Sequence, residues 1–163
     1  MEVRVDAGRS FEDFYRAEWA GLRRAVGFTV GDPDVARECV DEAMTRAYER
    51  WDQVAAMDRP AGWVYRVAVN LARNRARHRR VERARQPAAG PATAPGADDV
   101  ADPALTAALA RLPVDQRSVV VLRYYLDWSV EDVAAGLGVA PGTIKSRLHR
   151  ALRRLESSLR ESG

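Results

Sequence analysis

Cys39 is the only cysteine among 163 residues, and the two histidines, His78 and His149, lie far apart in the chain. No disulfide framework can form, and a metal site built from cysteine and histidine is not expected. No stretch reaches the roughly eighteen uninterrupted apolar residues of a membrane span. The opening segment MEVRVDAGRS carries four charges and no apolar run, so it does not read as a secretory leader. A cytoplasmic protein without membrane insertion is expected. There is no Ser/His/Asp or Cys/His arrangement and no phosphate-binding glycine loop, so nothing points to an enzyme, and no cofactor is expected. Lysine is nearly missing too. Of 26 basic residues only Lys145 is a lysine and the rest are arginine. A GC-rich coding bias produces the same excess, although arginine's planar fork does suit phosphates and guanine edges.

The charge that is present is unevenly placed. Residues 1–58 hold 8 basic and 13 acidic residues, 59–85 hold 9 and 1, 86–140 hold 3 and 7, and 141–163 hold 6 and 2. Two basic islands on acidic ground suggest two separate contacts with a polyanion, which the modest net charge of +3 conceals. Between them runs RARQPAAGPATAPGADDVAD, rich in Pro, Ala and Gly and empty of aromatics. Such a composition cannot bury enough surface to order itself. An all-α chain of two small helical domains is therefore predicted, spanning 10–82 and 104–160, with a flexible linker over 83–103. With nothing in the linker to pack, the two domains are expected to move independently.

In the N-terminal domain, Ser10 and Asp13 mark a helix start, and Phe11, Phe14, Tyr15, Leu22 and Val26 follow at helical spacing. A second helix opens at Asp32-Pro33 and runs to about Trp51. Its apolar face is Val35, Ala36, Cys39, Val40, Ala43, Met44 and Ala47, and its acids, among them Glu38, Asp41 and Glu42, fall on the other side. Those three could chelate a metal at i, i+3 and i+4, but exposed acids at that spacing more often serve solvation or a partner. The third helix, from about Pro60 to Arg83, has a buried stripe of Val64, Val67, Ala68 and Leu71. Arg59, Trp63, Arg66, Asn70, Arg73, Arg77 and Arg80 follow steps of three and four along its opposite side. Arginines can neutralise phosphates, Asn70 and Asn74 can bond base edges, and Trp63 or Tyr65 can stack on an unpaired base. That mixture suits DNA whose strands are separating, whereas a lone tryptophan is more usually a core anchor.

The C-terminal domain ends in a helix-turn-helix. Ser129 and Asp132 form a capping box, Val130, Val133, Ala134 and Leu137 a short buried face, and Gly138 permits the tight turn. Pro141 opens a second helix whose buried side is Ile144, Leu148, Ala151, Leu152 and Leu155. Thr143, Lys145, Ser146, Arg147 and Arg150 lie on its outer side, where a recognition helix enters the major groove.

At this point the sequence resembles the extracytoplasmic-function (ECF) sigma factors. LPVDQRSVVVLRYYLDWSVEDVAAGLGVAPGTIKSRLHRALRRL is similar to that family's region 4, and DPDVARECVDEAMTRAYERWDQV with RPAGWVYRVAVNLARNRARHRR is similar to its region 2. The resemblance implies a promoter-recognition subunit whose partners are core RNA polymerase, promoter DNA and, in regulated members, an anti-sigma factor. It implies that Glu38, Asp41 and Glu42 face the polymerase clamp, with Asp41 standing where the family usually has glutamine, Cys39 leucine and Met44 phenylalanine. It further implies that Arg59, Trp63, Arg66, Asn70, Arg73, Asn74 and Arg77, with the loop from Val54, read and open the −10 element. Thr143, Lys145, Ser146, Arg147 and Arg150 would read the −35 element as duplex. Two rivals remain at this stage: an autonomous helix-turn-helix regulator, and a metal-dependent hydrolase built on the acids of 34–49.

Overall fold

The computed structural model describes residues 8–85 and 102–163. Eight α-helices and no strand occur among them. Helix α1 (Phe11–Val30) begins where the Ser10 hydroxyl accepts from Asp13 N and ends at Gly31, whose φ of 78° is one that glycine adopts readily. Asp32 then caps α2 (Pro33–Glu49) by accepting from Asp34 N and Val35 N, with Pro33 preset for the first turn. All seven residues predicted for the apolar face of α2 are buried. They pack against α1 and against α4 (Pro60–Arg85), with the short α3 (Trp51–Ala55) turning the chain between them. Phe14, Leu22 and Met44 are fully buried in this group, each contributing about 1.5–3 kcal/mol. Beyond Arg75 every residue of α4 is exposed, so its last ten residues form a mostly cationic rod about 15 Å long.

The C-terminal unit comprises α5 (Pro103–Arg111), α6 (Val114–Val120), α7 (Val130–Leu137) and α8 (Pro141–Glu161). Helix α6 runs on into a wider π turn over Val121–Tyr125, where Leu126 N reaches back to Val121 O. Both halves of the predicted capping box are present between Ser129 and Asp132, and Gly138 turns the chain at φ 67°. Leu152, expected on the buried side of α8, is 42% exposed, while Ile144, Leu148, Ala151 and Leu155 are buried.

Two expectations about the domain boundary change. Residues 83–85 belong to α4, and Asp102 caps α5 at Pro103, so helix occupies both ends of the predicted linker. The stretch 86–101 lies outside the described residues. The two units are also not separate bodies: α1 packs on α5, α6 and the π turn, and α4 packs on α7. Phe28 meets Tyr125 edge to face at 4.9 Å. Arg117 caps the C-terminus of α5 by donating to the carbonyls of Leu109, Ala110 and Leu112, and it also donates to the carbonyl of Thr29 in α1. Helix–helix contacts of this kind depend on residues far apart in sequence, and linker composition says nothing about them.

Candidate nucleic-acid interface

The basic face of α4 begins against the loop that precedes it. Ala56, Met57, Asp58, Arg59, Trp63 and Arg66 line a cavity of about 330 Å³ whose far wall is Ala135 and Gly136 of α7. Trp63 is half-buried at its edge and Arg66 is exposed. Asn70, Arg73, Asn74 and Arg77 continue along the helix beyond the cavity, all exposed. Arg77 donates to Asn74 Oδ1 at 2.8 Å, which leaves the Asn74 amide N–H groups as donors. The predicted line of cations and amides is thus present. Tyr65 does not belong to it: it is 1% exposed, with its hydroxyl 2.6 Å from Thr29 Oγ1, and no base can stack on it.

A second set stands on α8. Thr143, Lys145, Ser146 and Arg150 are exposed, opposite the stripe of Ile144, Leu148, Ala151 and Leu155. Arg147 is half-buried. Three residues after Ile144 and four before Ala151, it lies on the flank of the buried stripe and not directly opposite it.

The acidic face of α2 is more engaged than its pattern suggested. Arg75 of α4 donates to Glu38 at 2.9 Å and to Glu42 at 3.0 Å, and Arg46 donates to Glu42 at 2.9 Å. Asp41 turns the other way and accepts from Trp19 Nε1 at 2.7 Å. The three carboxylates are therefore split between a basic partner on α4 and an indole on α1, not gathered around one point. Of the three departures from the family pattern, Cys39 and Met44 are buried, with burial pushing the Cys39 thiol pKa up. Asp41 is exposed. Beside it, Phe11, Tyr15, Met44, Thr45 and Tyr48 line an open groove of about 290 Å³, and Tyr48 is 66% exposed. This aromatic groove was not foreseen. Its signal was Tyr48, a large aromatic one turn after Met44 yet among polar neighbours.

Comparison with known proteins gives this geometry a family. Residues 10–82 match the model of sigma-70 region 2, and residues 103–155 match that of sigma-70, region 4. The chain belongs to the sigma-70 family, in its ECF group. It is 36% identical to the RNA polymerase sigma-E factor of Streptomyces avermitilis, over 91% of this chain and 84% of that protein. It is likewise 36% identical to the ECF RNA polymerase sigma factor SigL of Mycobacterium tuberculosis, over 82% and 79%. Among solved structures, the sigma factor RpoE of Bartonella quintana, in complex with the anti-sigma factor NepR, matches with a TM-score of 0.74 at 26% identity, covering 93% of this chain and 98% of that one. CnrH, in complex with the cytosolic domain of CnrY, shares the fold with a TM-score of 0.66 at 21% identity, covering 95% and 90%. As an ECF sigma factor the chain has two regions of known order, and the cationic face of α4 and the outer face of α8 fall one in each. No helix among the described residues is long and apolar enough to cross a membrane.

Proposed function

We propose that this ECF sigma factor binds core RNA polymerase in the cytoplasm, directs it to promoters and helps open the DNA, with no catalytic activity of its own. The observation that carries the assignment is the pairing of two solvent-facing cationic helix surfaces with the two family regions. On α4, Arg73 and Arg77 hold phosphates, Asn70 and Asn74 address base edges, and Arg59, Trp63 and Arg66 frame the cavity that takes an unstacked base of the −10 element. On α8, Thr143, Lys145, Ser146, Arg147 and Arg150 meet the −35 element in the major groove. Glu38, Asp41 and Glu42 face the polymerase, where complementary charge sets register and partner choice. An anti-sigma factor is a further partner, in keeping with the complexes of RpoE and CnrH.

The autonomous-regulator reading leaves the α2 face and the aromatic groove without a task. The hydrolase reading finds its carboxylates bound to Arg75, Arg46 and Trp19. Transcription in vitro from a genomic library, with purified core polymerase alone, this chain alone, and both together, tests the proposal. Start sites that share two upstream elements should appear only with both present. An unchanged start-site profile when the chain is added would overturn it.

A further inference from the structure

Arginine is abundant along α4, and charge alone does not tell one from another. Asn70, Arg73, Asn74 and Arg77 are exposed on one side of the helix. Arg75 lies two residues from Arg73 and two from Arg77, about 200° round the helix from each. It therefore points away from them. Ala68 and Ala72, seven and three residues before it, are buried, and Arg75 continues their stripe on a helix that packs against α2.

The fork of Arg75 divides between two carboxylates. Its Nη1 donates to Glu38 Oε2 at 2.9 Å, and its Nη2 donates to Glu42 Oε2 at 3.0 Å. Glu38 and Glu42 stand one turn apart on the same side of α2. A planar group with two separated nitrogens fits both at once, whereas an ammonium would meet them as a single point charge. Arg46 donates to the other oxygen of Glu42 at 2.9 Å. Exposure shows which group stands in front. The Arg75 side chain is 35% exposed, against 62% for Glu38. The guanidinium thus sits behind Glu38 and not over it, and holding Glu38 by one oxygen leaves most of that side chain accessible to a partner.

We infer that Arg75 is a positioning residue for the polymerase contact, a role that rests on the assignment of Glu38 and Glu42 to core polymerase: it orders both acids in the free chain, so that a cationic surface of the polymerase meets two fixed carboxylates. Ordering them beforehand matters because a glutamate left free must give up its rotamers on association. Folding alone is a weak reason for the arrangement, since exposed ion pairs contribute little to stability. The sign of the effect is distinctive. Removing Arg75 makes the face more acidic, and by charge alone a cationic partner should then bind at least as well. With the acids no longer held, it should bind less well.

Arg75→Met keeps an unbranched apolar stem and removes the fork, while Arg75→Lys keeps the charge without the fork. Full-length wild type, these two variants, the pair Glu38→Ala with Glu42→Ala, and that pair combined with Arg75→Met are labelled with fluorescein at the N-terminus. Each is titrated with purified core polymerase and followed by anisotropy. Arg75→Met should weaken core affinity roughly fivefold, the scale of one long side chain ordered on binding instead of beforehand. Arg75→Lys should fall between Arg75→Met and wild type. In the alanine pair, Arg75→Met should change affinity no further, because a residue that acts through two carboxylates has nothing to act through once they are gone. A purely structural role predicts a loss that persists in that background. Equal or tighter binding by Arg75→Met, or a loss of the same size in the alanine pair, would overturn the inference, while weak binding by the alanine pair itself keeps the acids on the polymerase. Wild-type affinity in the alanine pair would remove that assignment and the inference with it. Should Arg75→Met lose helicity by circular dichroism, Arg75→Lys decides: weakened binding in that chain upholds the inference, and wild-type affinity overturns it.

Discussion

The Tyr65 hydroxyl donates to Thr29 Oγ1 across 2.6 Å, and the direction is fixed because the Thr29 hydroxyl already donates to Ala25 O at 2.9 Å. Thr29 is also the residue whose carbonyl receives Arg117 from the other unit. Burial pushes the Tyr65 phenol up to about 12, partly offset by the Ser118 hydroxyl and by the nearby Arg117 charge. One buried phenol therefore touches α1, α4 and α6 together.

A pH dependence follows from that position. A phenol raised in the folded state contributes stability that is complete below about pH 10, its unfolded value, and is lost as pH rises through about 12. Two units correspond to a loss on the order of 2–3 kcal/mol. Urea midpoints should hold level from pH 7 to 9 and then fall. Tyr65→Phe should flatten that alkaline fall and reduce stability at neutral pH by about 1 kcal/mol, the scale of one buried hydrogen bond. A fall of equal size in both chains would assign the alkaline transition to another group.

Charge reversal separates two possible uses of the acids on α2. Glu38→Lys with Glu42→Lys should weaken capture of core polymerase severalfold while changing stability by less than about 1 kcal/mol, because exposed ion pairs contribute little to folding. Arg75 would then face two lysines, so Arg75→Glu is added to restore both pairs with inverted sign. Core binding should stay weak in this triple variant if the carboxylates themselves meet the polymerase. Recovery would show that they serve only to hold Arg75.

The exposed half of α4 calls for a different measurement. Arg73→Ala should weaken all promoters about equally and lower the salt slope by roughly one unit, as for a lost phosphate contact. Arg77→Ala should do the same and also release Asn74 from its 2.8 Å hydrogen bond. Asn70→Ala should act on strand opening or −10 preference, read by permanganate reactivity of the bubble. A normal bubble with unchanged preference would leave Asn70 without a reading role.

Local chemistry made much of this structure legible in the sequence. Asp32-Pro33, Ser129 with Asp132, and Gly138 each cap or turn a helix through contacts within a few residues, and all appear as predicted. The stripe of α2 was readable because period and burial agree along a helix packed on two sides. Tyr65 was misread because its hydroxyl finds its partner 36 residues away, which turns an apparent stacking surface into core. The packing of α4 on α7 and the multiple carbonyls gripped by Arg117 depend on how two units meet. Linker composition and charge distribution carry no information on that docking.

On α8 the structure sharpens the question of which side chain reads the −35 element. Lys145 is exposed, while Arg147 is half-buried on the flank of the Ile144–Leu148 stripe. A guanidinium whose stem packs along apolar surface is held with fewer conformations to lose, and its planar fork can engage a guanine O6 and N7 together. A lysine offers a rotating point charge. Arg147→Ala should therefore relax preference at one or two −35 positions, at about 1–3 kcal/mol against the wrong base, with −10 preference unchanged. Arg147→Lys should keep most of the affinity but not the preference, because it retains the charge and loses the fork. Arg150→Ala, further along the helix and exposed, should weaken binding across all sequences alike. Sites selected from a randomised −35 library by holoenzymes carrying each variant give the comparison. An Arg147→Ala consensus identical to wild type would reassign Arg147 to the phosphate backbone and leave Lys145 and Ser146 as the readers.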